Sequence, residues 1–137
     1  MDGWVAAHLI ALGSWAGVVG VELLYEGAAR LGYLRSADVA RLHRWTDRVL
    51  EIPLLAAVVL TGLVLWARAG WSPALLNKVA LGLGAVTANA VCLPLVERRA
   101  RSAEPERQFV PIAATALVGV PLALAALAMG GRRAGWW

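Results

Sequence analysis

Residues 4–28 read WVAAHLIALGSWAGVVGVELLYEGA, a run in which no lysine or arginine interrupts the apolar side chains. A bilayer core about 30 Å thick needs roughly 20 predominantly apolar residues in one helix, and this stretch is long enough. A barrel strand would instead alternate every second residue over about ten positions. Three further runs have the same character, at 45–67, 73–96 and 109–129. They are separated by an arginine-rich connection, the short turn 68–72 and the charged segment 97–107. The fold expected is all-α: a single integral membrane domain, 1–137, built as a four-transmembrane-helix bundle.

Composition agrees. The 137 residues are 60% apolar and 16% charged, whereas soluble domains sit near 45–50% and about 25%. A small water-soluble globule and a disordered chain are both excluded. One cysteine leaves no internal disulfide. A net charge of +4 with arginines placed between apolar runs speaks for a lipid bilayer as the partner and against nucleic acid.

Basic residues set the expected orientation. Arg30, Arg35, Arg41, Arg44, Arg48, Arg98, Arg99, Arg101 and Arg107 flank the first and third connections; Arg68, Lys78, Arg132 and Arg133 lie on the other side. The positive-inside bias puts both connections in the cytoplasm and both termini outside, on the periplasmic face of a prokaryotic inner membrane. Trp4, Trp66, Trp71, Trp136 and Trp137 fall at the outer interface, and Tyr25, Tyr33 and Trp45 at the inner one. A cleaved signal peptide fits the first run badly, because Asp2 stands where a basic region belongs and the arginines follow the run. The Gly13–Gly17 pair is expected to pack within the bundle, with a dimer contact as the alternative.

Ionisable groups at membrane depth are costly unless they face protein or water, so they mark candidate sites. At about 100° per residue, His8, Trp15, Glu22 and Glu26 form one stripe on the first span. His43, Asp47 and Glu51 stack at successive i, i+4 positions on the second. Lys78, Gly82, Asn89 and Cys92 share a face of the third. The fourth offers only Thr115 and Gly119 and reads as a packing helix.

Two levels follow. At the inner level Glu22, Glu26, His43, Asp47, Glu51 and Asn89 form a candidate metal set, since a histidine among several carboxylates suits iron, zinc or manganese in helical bundles. With one cysteine and Met129 the only soft ligands besides the initiator, copper(I) is disfavoured. Crowded carboxylates must be protonated, or neutralised by arginines such as Arg44 and Arg48, or by a cation. Two readings stand for Glu26, His43 and Asp47: site residues, or interfacial groups paired with Arg30, Arg44 and Arg48. Asn89 reads as ligand or as interhelical hydrogen-bonding glue. Cys92 reads as a small packing residue.

At the outer level stand His8 and Lys78, with interfacial bonding and snorkelling as their ordinary alternatives. His8, Trp15 and Gly17, the opening HLIALGSWAG, and Trp71 ahead of Lys78 resemble the HemJ-type protoporphyrinogen oxidases; the opening also resembles the copper-resistance D family. The resemblance implies haem b held near His8 and Lys78, with Trp15 beside it, and porphyrinogen oxidation. The segment GVELLYEGAARL departs from that pattern by placing Glu22 and Glu26 where a basic and aromatic segment ending in histidine belongs.

The function expected is that of a membrane redox protein with a haem or non-haem metal centre. Glu22, Glu51 and Lys78 are its candidate catalytic groups, acting on a small-molecule or ion substrate. The alternatives are a proton or divalent-cation transporter using the carboxylate ladder, which would have to form a homo-oligomer, and an accessory membrane subunit.

Overall fold

A computed structural model describes residues 2–133. Helix α1 runs Gly3–Arg30, α2 Ser36–Thr46, α3 Ile52–Ala69, α4 Pro73–Arg101 and α5 Phe109–Arg133. A π-helical turn, Asp47–Glu51, joins α2 to α3 without a break. Among the described residues four helices are therefore long and apolar enough to cross a membrane: Gly3–Arg30, Ser36–Ala69, Pro73–Arg101 and Phe109–Arg132. Trp136 and Trp137, expected in the outer aromatic belt, lie outside the described residues.

The helix ends follow their capping chemistry. Asp2 accepts a hydrogen bond from the Trp4 backbone N–H, and Ser72 from that of Leu75, satisfying donors that a helix N-terminus leaves open. Gly32 and Gly70 adopt positive φ, 81° and 69°, which lets the chain turn sharply after α1 and α3.

The second span corrects the sequence-based boundary at 45: its helix begins at Ser36. Residues 36–44, SADVARLHR, are too polar for lipid, so apolarity alone leaves them out. They form an amphipathic helix that buries Val39 and Ala40, each 2% exposed, against the rest of the bundle.

Side-chain pairs fix α1 antiparallel to the second span: His8 meets Thr61, Trp15 meets Glu51, Glu22 meets Thr46, and Glu26 meets His43. Helices α4 and α5 form the closest backbone pairing, and α2 connects the two hairpins by packing on both α1 and α4. At the end carrying 31–35 and 102–108, called here the connection end, polar side chains hold the hairpins together. At the other end Trp66 stacks edge-on with Trp71 at 5.3 Å, and Arg68 reaches both Asp2 and the Trp4 ring.

The small residues that pack are not those of the GxxxG match. A Cβ added at Gly13 or Gly17 would meet nothing within 4 Å, which corrects the expectation that this pair packs inside the bundle. The closest approaches lie between α4 and α5, where a Cβ at Gly119 would sit 3.2 Å from Ala88 Cβ and 3.8 Å from the Ala85 carbonyl oxygen. Gly119→Val is accordingly expected to destabilise the protein by about 1–3 kcal/mol through overpacking. Gly17→Ala should be neutral or stabilising by up to about 1 kcal/mol, from helix propensity alone. Thermal unfolding in detergent reads both.

Candidate metal centre

The site is built where the second span widens. Pro53 has no N–H, and its ring crowds the carbonyl four residues back. Immediately before it the helix opens into the π-helical turn, closed by a bond from the Ile52 N–H to the Asp47 carbonyl. Such turns re-aim side chains and are frequent at functional sites. Here the turn carries Asp47 at its start and Glu51 at its end, both buried.

His43 lies at the centre. Its Nδ1 is 2.8 Å from Glu26 Oε1, and the same oxygen accepts a hydrogen bond from Arg99 Nη1. Arg99 is 2% exposed, and its Nε donates to the Pro105 carbonyl at 3.1 Å. Glu26 thus pairs with both Arg99 and His43 Nδ1, which leaves Nε2 as the ring nitrogen directed away from it. Nε2 faces two carboxylates: it is 3.7 Å from Glu22 Oε2 and 3.7 Å from Asp47 Oδ1. These separations are too long for hydrogen bonds. They are close to the spacing of about 3.0–3.5 Å between two ligands that each lie about 2.1 Å from one ion. One donor atom from each of Glu22, His43 and Asp47 falls within 4.8 Å of the others, and all three residues are buried.

The carboxylates are themselves held. Tyr25 O–H donates to Thr46 Oγ1 at 3.0 Å, and Thr46 Oγ1 donates to Glu22 Oε1 at 2.6 Å, leaving Glu22 Oε2 toward His43. The Asp47 carboxyl lies against that of Glu51. Glu51 Oε1 accepts from Trp15 Nε1 at 2.9 Å and from the Asn89 amide. Neighbours of this kind orient metal ligands and fix the histidine tautomer.

The electrostatics are one-sided. Among the described residues four buried acids, Glu22, Glu26, Asp47 and Glu51, share one buried arginine and one histidine. Arg99 is spent on Glu26. Arg44 and Arg48, proposed from the sequence as neutralising partners, reach Glu97 instead, at 3.8 and 2.8 Å. Glu26 Oε2 and Asn89 Oδ1 are buried without a hydrogen-bond partner. Acceptors thus outnumber donors around the triad, and that imbalance is the condition a bound cation relieves.

All of the inner-level candidates are brought together: Glu22, Glu26, His43, Asp47 and Glu51 directly, and Asn89 by donating to Glu51. Interfacial pairing of Glu26, His43 and Asp47 with Arg30, Arg44 and Arg48 is not what the structure has; all three are 4–6% exposed. Trp15, grouped with His8 by the helical stripe, belongs to this cluster through its indole N–H. The outer level is separate. His8 Nδ1 lies 2.9 Å from Thr61 Oγ1, whose own proton goes to the Ala57 carbonyl at 2.6 Å. Lys78 lies along α5, with Cε and Nζ each 3.1 Å from the position of a Cβ at Gly130.

The residues that the sequence reading missed are Thr46, Tyr25 as a hydrogen-bond donor, and Arg99 as a buried counter-ion. By sequence Tyr25 reads as an interfacial aromatic and Arg99 as one of the arginines that set topology. Thr46 occupies the turn between His43 and Asp47, the one available signal.

No protein-family model, curated protein or solved structure matches this chain. The class stands on the fold alone: an all-helical protein with four membrane-span-length helices.

Proposed function

We propose that this is a multi-pass membrane protein built around a non-haem metal centre, with Glu22, His43 and Asp47 as the ligands of one divalent ion. The observation that carries the reading is the convergence of an imidazole nitrogen and two carboxylates, all buried, within 4.8 Å. Glu26 would hold the His43 tautomer, Thr46 would orient Glu22, and Glu51 would back Asp47. One histidine with carboxylates suits iron, manganese or zinc. With iron or manganese the centre would supply electron transfer, and the protein is then a membrane oxidoreductase. With both connections in the cytoplasm, as the arginine distribution favours, the centre faces the cytoplasmic side of a prokaryotic inner membrane.

Two observations favour this reading over its competitors. The transporter alternative needs a polar path across the membrane, yet between Glu51 and Thr61 the second span reads IPLLAAVVL, wholly apolar. At 1.5 Å per residue that leaves the second span without a polar group to offer a relay for about 14 Å. For haem, His8 is turned onto α3, where a Cβ at Gly62 would meet its Cε1 at 3.3 Å, and Lys78 lies against Gly130.

The test is elemental analysis of the protein purified in detergent from cells grown with iron, manganese and zinc. About one ion per chain is expected, falling at least tenfold in Asp47→Asn. A folded wild-type protein that takes up none of the three, even on reconstitution, refutes the proposal. Ion flux in proteoliposomes that depends on Glu22 and Glu51 would favour the transporter instead.

A further inference from the structure

Two clefts meet along the α3–α4 side of the molecule. The first, of about 240 Å³, is lined at the connection end by Arg44, Arg48, Glu97 and Pro94. The second, of about 390 Å³, is lined by apolar side chains only, among them Leu55, Val59, Leu60 and Val86. Ile52 and Leu93 line both, so the two adjoin and present a groove with a charged end and an apolar end. From Ile52 to Leu60 the apolar part runs about 12 Å along the helix axis at 1.5 Å per residue. That is close to the thickness of one leaflet, about half of a 30 Å core.

The charged end carries more positive than negative charge. Arg44, Arg48 and Arg101 all converge on the single carboxylate of Glu97. At 3.8 Å, Arg44 is too far from Glu97 to donate a hydrogen bond, so its guanidinium N–H groups remain available to a second anion. Arg48 is 60% exposed despite its bond to Glu97. Asp47 also lines this end, but its carboxyl is turned inward against His43 and Glu51. Guanidinium pairs of this kind recognise phosphate, and basic residues at a membrane boundary favour anionic lipids.

We infer that this groove is a binding site for one anionic phospholipid, with its phosphate on Arg44 and Arg48 and an acyl chain between α3 and α4. The polar head sits where the connection-end arginines meet the interface, and the chain descends along Leu55 and Val59 beside Val86. Of the residues lining the groove only Asp47 is also a proposed metal ligand.

Delipidated protein in a neutral detergent tests this, by native mass spectrometry and thermal unfolding with added phosphatidylglycerol, phosphatidylcholine or inorganic phosphate. The wild type is expected to bind one phosphatidylglycerol at least tenfold more tightly than phosphatidylcholine, with a rise in melting temperature that phosphate alone does not give. Arg44→Gln/Arg48→Gln should erase the preference, whereas Arg35→Gln/Arg41→Gln, on arginines that pair with Asp38 outside the groove, should keep it. Ala56→Phe, which fills the apolar part while leaving every arginine in place, should weaken both lipids by tenfold or more. Equal binding of the two lipids by the wild type overturns the inference, as does a preference that survives Arg44→Gln/Arg48→Gln. So does full retention of lipid by a folded Ala56→Phe protein. Stabilisation by phosphate alone equal to that by phosphatidylglycerol would reduce the groove to an anion site and overturn it as well.

Discussion

Replacing His43 with glutamine is expected to lower the affinity for the divalent ion at least 100-fold, as read by competition with a chromophoric chelator. The size of the effect follows from position. His43 Nε2 is the ring nitrogen facing Glu22 and Asp47, at 3.7 Å from each, so its loss leaves two carboxylates to hold the ion alone. Glu22→Gln and Asp47→Asn should come close to the same loss, because each removes a charged ligand. Glu26→Gln should cost less, about 10–100-fold, since Glu26 touches only Nδ1 and acts by fixing the tautomer and raising the basicity of the ring. An order of effects with Glu26 above His43 would mean that the ion sits elsewhere.

The largest effect on stability is expected from Arg99→Met. Arg99 is 2% exposed and ion-paired with Glu26, so its removal strands a carboxylate among buried groups. Breaking one side of such a pair costs about 3–5 kcal/mol, whereas replacing both sides is far milder. Glu26→Gln/Arg99→Met should therefore recover most of the loss in chemical unfolding from detergent. If the double variant is no more stable than Arg99→Met, the damage came from lost packing around α4 and the Pro105 carbonyl, not from the stranded charge.

How much of this could be read from residues alone depends on which force set each feature. The four spans were legible because lipid demands continuous apolar length, a one-dimensional property. The start of the second span was not, because residues 36–44 are buried by protein instead of lipid and need no overall apolarity. The inner cluster was legible as three helical stripes, since a buried acid is expensive wherever it occurs. Its internal wiring was not. A straight helix places His43, Asp47 and Glu51 in one column, but the π-helical turn ahead of Pro53 makes Asp47 a partner of His43 while Glu51 answers to Trp15 and Asn89.

Arg99 shows the same limit from the other direction. It stands among Arg98 and Arg101 and carries no local mark that separates it from a topology signal, yet it alone of the three is buried. Only the approach of α4 to α1, a contact between residues 73 apart, assigns it to Glu26. The GxxxG match in α1 failed for a related reason: small residues permit close approach but do not say from which neighbour it comes.

The most direct measurement is X-ray absorption spectroscopy at the edge of the ion taken up by the purified protein. The account predicts a first shell of nitrogen and oxygen donors at about 2.0–2.2 Å, containing a single imidazole that disappears in His43→Gln. A shell with no imidazole, or one unchanged in a folded His43→Gln protein, would contradict the assignment of Glu22, His43 and Asp47 as the metal centre.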